Sequence, residues 1–355
     1  MDVLPNEEQA MIAEQASAFL QSAMPVSGHL NRMSHTPVDR GLWSKAAALG
    51  WFGLGVAQDE GGVGFGLPEE ALLFREIGRY LAPTTLLLAT TLAAHLSADV
   101  KGAELATILN GQTVVALAEP DDPDMTIGTR LSGQIRVLDS IDSNLVLICG
   151  NDAAAVVETA ALGHVTEIPC IDGSTQLGYS SLDDVAAMAH ASGPNYKQRG
   201  MILSTASLCG IAEATRDASA NYAKLRHQFG RPIGSFQAVK HRCADMAVRC
   251  EAATAQLFYA ALVASDGAPD REFQTVAARL VAVDAAVRNG EDNIQNHGGI
   301  GFTAEHSAHA YLKRARLLQH LFGDRHSDLS GLLALPAPIA RSTVGNSTSL
   351  GASKQ

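Results

Sequence analysis

Apolar residues recur at helical spacing at both ends of this chain and give way in the middle to short β-branched runs. A face built on a period of 3.6 cannot serve as a strand, where side chains alternate, so helices and sheet must be segregated along the chain. The runs are Thr113-Val-Val-Ala-Leu-Ala118, Gln134-Ile-Arg-Val-Leu138, Asn144-Leu-Val-Leu-Ile148 and His164-Val-Thr-Glu-Ile168. Gly, Pro, Asp and Asn punctuate them, and no helix-length pattern lies between them. An antiparallel β-domain over residues 113–190 is therefore expected rather than a parallel α/β unit.

The flanks read as helical. Over residues 1–112, Ile12, Ala16, Phe19 and Leu20 mark one helix face. The glycines of Gln58-Asp-Glu-Gly61-Gly62-Val-Gly64-Phe-Gly66 are not followed by Lys-Ser or Lys-Thr, so they predict a loop between helices rather than a phosphate cradle. Over residues 191–335 a helical bundle is expected. Val239, Cys243, Met246, Cys250, Ala253, Leu257, Ala260 and Ala264 alternate by four and three, as on the seam of a long helix. Val276, Leu280, Val283 and Val287 mark a second helix. Residues 336–355 form a polar tail, expected to be disordered. The fold class that follows is mainly α with a central β-domain.

The formal charge is −11, and no basic block occurs. Nucleic acid is therefore not an expected partner, since phosphate backbones need clustered Lys and Arg. No apolar run reaches the ~18 residues of a membrane span. The start, Met1-Asp-Val-Leu-Pro-Asn-Glu-Glu8, lacks the basic onset of a secretory signal, so a cytoplasmic location is the expectation. The five cysteines have no Cys-x-x-Cys spacing and read as reduced packing residues.

Three C-terminal stretches carry more information. The first is Arg226-His-Gln228-Phe229-Gly-Arg-Pro-Ile-Gly-Ser-Phe-Gln237, the second is Gln295-Asn-His-Gly298-Gly299-Ile-Gly301-Phe302, and the third is Leu321-Phe322-Gly323-Asp324. The first two closely resemble the flavin-contacting motifs of the acyl-CoA dehydrogenase family. Leu49-Gly50-Trp51 and Glu60-Gly61-Gly62 are similar to its N-terminal landmarks. The resemblance covers residues 1 to about 335. It implies that family's order of an N-terminal helical domain, an antiparallel β-domain and a C-terminal bundle.

The family reaction removes an α proton and a β hydride from an acyl-CoA thioester. It needs a carboxylate base within reach of the α proton, with FAD supplying the redox chemistry. Two positions hold that base in different members. One is the Glu of Tyr-Glu-Gly-Thr, here Phe322. The other, by register from Leu208-Cys-Gly210, is here Gly200. Neither carries a carboxylate, so no catalytic residue is assigned. Asp324, two residues beyond Phe322, reads as a surface residue. The family's Thr-Glu-Pro-x-Ala-Gly-Ser-Asp flavin bed is reduced to Ala118-Glu119-Pro120 followed by Asp121, Asp122 and Asp124, which would repel a pyrophosphate. Val137-Leu138-Asp139-Ser140 stands where the family has Trp-Ile-Thr-Asn. By contrast, the resemblance gives Arg226, Gln228, Phe229, Gln237, Gln295, Gly298 and Gly299 as contacts to the pyrophosphate and adenosine half of a neighbouring subunit's FAD.

A chain with cross-subunit contacts but no base resembles the Glu-lacking half of bacterial α2β2 heterotetrameric acyl-CoA dehydrogenases. The implied partners are a Glu-bearing subunit, an acyl-CoA of the steroid or bile-acid side-chain type, and an electron-transfer flavoprotein. The isolated chain would be inactive. Other readings stay open. One is a self-sufficient family member performing non-oxidative dehydratase or lyase chemistry through a water, His320 or Asp324. Others are a homotetrameric dehydrogenase with an unrecognised base and a flavin-free structural subunit.

Overall fold

A computed structural model describes residues 5–27, 38–122, 124–336 and 338. The chain is mainly helical around one central sheet, as its periodicity switch requires. The N-terminal helices are α1 (Glu7–Ala23), α2 (Arg40–Ala48), α3 (Leu67–Arg79), α4 (Thr84–Asp99) and α5 (Leu105–Leu109). Ala16 and Leu20 of the predicted α1 face are buried. The glycine-rich stretch is a loop, with Gly61 and Gly64 at φ of 87° and 85°. The C-terminal helices are α6 (Asn195–Leu225), α7 (Gln237–Ser265), α8 (Arg271–His297), α9 (Ala308–Leu318) and α10 (Arg325–Ala334). Met246, Cys250, Ala253, Leu257 and Ala260 of the predicted seam are buried along α7. The polar tail falls almost wholly outside the described residues. No helix among the described residues is long and apolar enough to cross a membrane.

Seven strands form the sheet in the order β5-β6-β2-β1-β3-β4-β7. They are β1 (Val115–Pro120), β2 (Arg130–Leu138), β3 (Leu145–Cys149), β4 (Ala153–Glu158), β5 (Thr166–Ile168), β6 (Leu177–Ala186) and β7 (Ala189–Ser192). One pairing corrects the antiparallel expectation. β2 folds back on one edge of β1, so β3 joins the other edge and runs parallel to it, Val115 opposite Leu145. The remaining pairs are antiparallel. A separate core of Ala116, Ala118, Ile135, Val146, Ile148 and Val157 fills one face of the sheet, while Leu117, Leu147 and Val156 face the helices.

The long helix α6 is the axis of the molecule. Its middle is buried on all sides, Met201 through Ala212. α3 crosses it at backbone distance. A Cβ at Gly78 would stand 2.0 Å from the Ser207 carbonyl oxygen, and one at Gly210 would stand 1.9 Å from that of Arg75. Only glycine allows that crossing. A buried arginine ties the three segments together. Arg314 of α9 pairs with Asp172 of the sheet domain and donates to the Ala82 carbonyl (2.7 Å) and Thr84 (3.0 Å) at the start of α4.

Candidate functional site

The two ends of α6 carry different constellations. At its N-terminal end a cleft of about 650 Å³ opens between the sheet and the bundle. Its walls include Glu119 and Pro120 of β1, Cys149, Lys197 of α6, His320, and Phe322 to Asp324. The two predicted base positions meet here. Phe322 is buried, and its ring lies directly against Gly200: a Cβ on Gly200 would stand 2.5 Å from Cζ and 2.9 Å from Cε1 and Cε2. The ring therefore occupies the volume that a side chain at position 200 would need.

Phe322 is held in place by its backbone. Its φ is +63°, a left-handed conformation that a phenylalanine adopts only under constraint. Its N–H donates to Glu119 Oε1 at 2.6 Å, and Oε2 of Glu119 accepts from Arg136 at 2.7 Å. Both oxygens of the Glu119 carboxylate are thus hydrogen-bonded. From the other side Arg279, fully buried on α8, donates to the carbonyls of Gln319 (2.7 Å) and Gly323 (3.0 Å) and pairs with Asp328 (2.8 Å). Neither the Glu119 link nor the Arg279 clasp was foreseen. The available signal was a lone Arg inside the apolar stretch Val276-Ala-Ala-Arg-Leu280.

Asp324 lines the cleft but is the N-cap of α10, accepting from His326 (2.8 Å) and Ser327 (2.9 Å). Those backbone donors, Ser327 first, hold its carboxyl below the usual range. Burial, then Arg136, pushes His320 below its ordinary value, so it is neutral at pH 7. Burial pushes the Cys149 thiol up to about 12, which leaves it unreactive. Asp121, Asp122 and Asp124 are exposed and do not line the cleft; Asp122 caps the Asp124 N–H at 2.9 Å. Asp139 is buried, where it binds the Thr85 hydroxyl and the Gln176 N–H. It fastens the sheet to α4.

At the far end of α6 the two flavin-type motifs come together. Arg226 is the extended C-cap of α6. Gln228 and Phe229 belong to a short hairpin, β8 (His227–Gln228) and β9 (Arg231–Pro232). Phe229 is 90% exposed at its tip. Gln237 opens α7, Gln295 lies in the last turn of α8, and Gly298 and Gly299 begin the 3-10 turn that follows it. The motifs are joined by Ser219 to Asn293 (2.9 Å), Arg242 to Asn296 (3.0 Å), and the rings of Tyr222 and His297, 4.3 Å apart. Every one of the seven predicted cofactor residues is exposed. A Cβ at Gly298 or Gly299 would meet nothing within 4 Å, so their backbone is open to an incoming group. An exposed guanidinium, three carboxamides and two glycines with open space over them fit the pyrophosphate and adenosine half of FAD.

Comparison with known proteins decides the family. Residues 6–108 match the acyl-CoA dehydrogenase N-terminal domain, and residues 197–329 match the acyl-CoA dehydrogenase C-terminal domain. Acyl-CoA dehydrogenase IpdE2 of Mycobacterium tuberculosis is 32% identical over 88% of this chain and 92% of its own length. This chain belongs to the acyl-CoA dehydrogenase family. Acyl-CoA dehydrogenase FadE34 of the same organism is 33% identical over 86% of the chain. The chain spans only 43% of that relative's length. A structure of a variant of the Tcur3481-Tcur3483 steroid ACAD superposes with a TM-score of 0.80 at 25% identity, over 92% of this chain and 97% of that one. The chemistry of the acyl-CoA dehydrogenase family is the oxidation of acyl-CoA thioesters with FAD. Phe322 and Gly200, the two residues that the resemblance sets at base positions, are in mutual contact.

Proposed function

We propose that this chain is the non-base subunit of a heteromeric, FAD-dependent acyl-CoA dehydrogenase. The observation that carries the reading is the Phe322 ring seated on Gly200. A phenyl group takes no proton, and the adjacent Glu119 has both oxygens engaged, by the Phe322 N–H and by Arg136. The α-proton abstraction of an α,β-dehydrogenation then requires a Glu from another subunit.

The far end of α6 supports the complementary half of the proposal. The 31 residues of α6 span about 46 Å at ~1.5 Å per residue. Arg226 and Gly200 stand near its opposite ends, so Arg226, Gln228, Phe229, Gln237, Gln295, Gly298 and Gly299 would serve a site built with another subunit. There Arg226 would hold the pyrophosphate, the carboxamides of Gln228, Gln237 and Gln295 would contact the adenosine half, and Gly298 and Gly299 would admit it closely. Bound FAD supplies the hydride acceptor. Leu225, Phe229 and Phe302, exposed at 78%, 90% and 76%, would be covered by that partner. The pairing proposed is an α2β2 heterotetramer with a Glu-bearing family member, located in the cytoplasm. The substrate proposed is the CoA ester of a steroid or bile-acid side chain, with an electron-transfer flavoprotein as oxidant. The steroid assignment leans on the likeness to the Tcur3481-Tcur3483 steroid ACAD.

The test is the visible flavin spectrum and native mass of the chain, purified alone and co-expressed with a Glu-bearing family member. A colourless or unstable chain alone, with a yellow 2:2 complex, is the expected result. A yellow homo-oligomer with one flavin per chain overturns the proposal. It would turn attention to non-oxidative chemistry at the cleft, with neutral His320 as the first group to test.

A further inference from the structure

A second cleft, of about 540 Å³, lies on the other side of the first turn of α6. Beneath it sits Glu70 of α3, 1% exposed. Its Oε1 is 2.7 Å from His95 Nε2 of α4, and its Oε2 is bound by Arg199 Nη1 of α6. Burial alone would push the Glu70 carboxyl up, but His95 and Arg199 outweigh it and keep it ionised. Burying a carboxylate is expensive, and apolar residues would join three helices at least as well. Both of its partners, His95 and Arg199, line the cleft.

The rest of the lining completes a polar end and an apolar end. Arg271, the first residue of α8, is fixed at the α7–α8 turn by Nη1 bonds to the carbonyls of Gly267 (3.2 Å) and Ala268 (3.4 Å). Asp99 also lines the cleft, and its Oδ2 accepts from the Tyr196 hydroxyl at 2.5 Å. Phe65, Leu67 and Ala264 supply apolar wall. The volume suits a small organic molecule. Arg199 and Arg271 bring two positive charges to the cleft, and Asp99 and the underlying Glu70 two negative ones, so a dianion would face two carboxylates.

We infer that this second cleft binds a small monocarboxylate with an apolar body, its carboxylate held by Arg199 and Arg271 and its body lying against Phe65 and Leu67. Guanidinium pairs with a carboxylate in a planar, bidentate fashion, and Arg199 commits one of its five N–H donors to Glu70. The inference is independent of the flavin reading, because it concerns only this chain.

Calorimetric titration of the full chain at fixed ionic strength tests it, with benzoate as probe and benzamide and inorganic phosphate as comparators. Benzoate should saturate a single site. Benzamide should bind about tenfold weaker or worse, the loss expected when a charged hydrogen-bonding partner is removed. Arg271→Gln should weaken benzoate by about tenfold, and Arg271→Lys should recover most of that loss. Ser265→Phe, which puts a ring at another lining position, should block benzoate as well and guards against a folding defect in the Arg271 variants. No saturable benzoate binding, equal binding of benzamide, or phosphate bound as tightly as benzoate would each overturn the assignment.

Discussion

Gly200→Ala is the sharpest probe of the filled base site, because one methyl group meets one ring. The new Cβ would stand 2.5 Å from Phe322 Cζ. Ordinary carbon contacts lie at ~3.5–4.0 Å, so the ring must retreat by about 1 Å or more. It has little freedom to do so. The Phe322 N–H is tied to Glu119, and Arg279 holds the carbonyls of Gln319 and Gly323 on either side. Overpacking of this kind costs about 1–3 kcal/mol. Alanine is also a better helix former than glycine by ~1 kcal/mol, which offsets part of that cost. The single variant should therefore lose between about 0 and 2 kcal/mol.

The informative quantity is the double-mutant cycle with Phe322→Ala. Without the ring, the same methyl gains ~1 kcal/mol of helix propensity and about 0.8 kcal/mol of burial. Gly200→Ala then becomes stabilising by about 2 kcal/mol, and the coupling between the positions is about 2–4 kcal/mol. Urea midpoints of the four proteins, followed by circular dichroism, measure it. If Gly200→Ala changes stability equally in both backgrounds, within about 0.5 kcal/mol, the ring does not occupy the space above Gly200 and the plugged-site argument collapses.

Four further outcomes are expected. Arg314→Met strands the buried Asp172 without its cation and should cost about 3–5 kcal/mol, seen as a lower urea midpoint; a change under about 1 kcal/mol would mean that Arg314 does not tie the segments together. Stability should fall as pH drops below about 6.5: burial depresses His297, His306, His309 and His320 in the fold, so the unfolded chain takes up protons first, and a flat profile between about pH 7 and 5 would contradict this. Arg226→Ala should lower the flavin content of the co-purified complex without moving the unfolding midpoint of the chain; unchanged flavin content would remove the phosphate role from Arg226. Phe322→Glu should not give the isolated chain dehydrogenase activity, and robust flavin reduction by an acyl-CoA in that variant would refute the two-subunit reading.

The helical and sheet regions could be read from periodicity because burial follows it. The α7 seam is a case in point, with Met246, Cys250, Ala253 and Leu257 all buried. Parts of the sheet could not. β4 begins Ala153-Ala-Ala, which carries little strand propensity, and β6 contains Gly178, Asp183 and Asp184. Both are strands because their neighbours pair with them, Val146 opposite Val157 and Val137 opposite Gly178. The parallel β1–β3 pair depends on which edge of β1 is already taken, which no local pattern encodes. Motif register singled out Phe322 and Gly200 separately. It could not reveal that the glycine makes room for the phenyl ring, or that Glu119 binds the Phe322 backbone, since those facts join residues more than a hundred positions apart.

The length of α6 gives the strongest physical reason to expect a shared site. One rigid helix carries Gly200 near its start and Arg226 at its end, with the buried stretch from Met201 to Ala212 fixing it in the core. It cannot bend the two ends toward one another. The Arg226 guanidinium, roughly 40 Å from Gly200 at ~1.5 Å of rise per residue, cannot serve the cleft at the other end of the helix. It is exposed, beside an exposed Phe229 on a hairpin that packs on little else. The proposed assembly gives such an end a use: if a partner brings its own base, it would need only the Arg226 end of α6, and the other end would then be free to close over Gly200 with a phenyl ring.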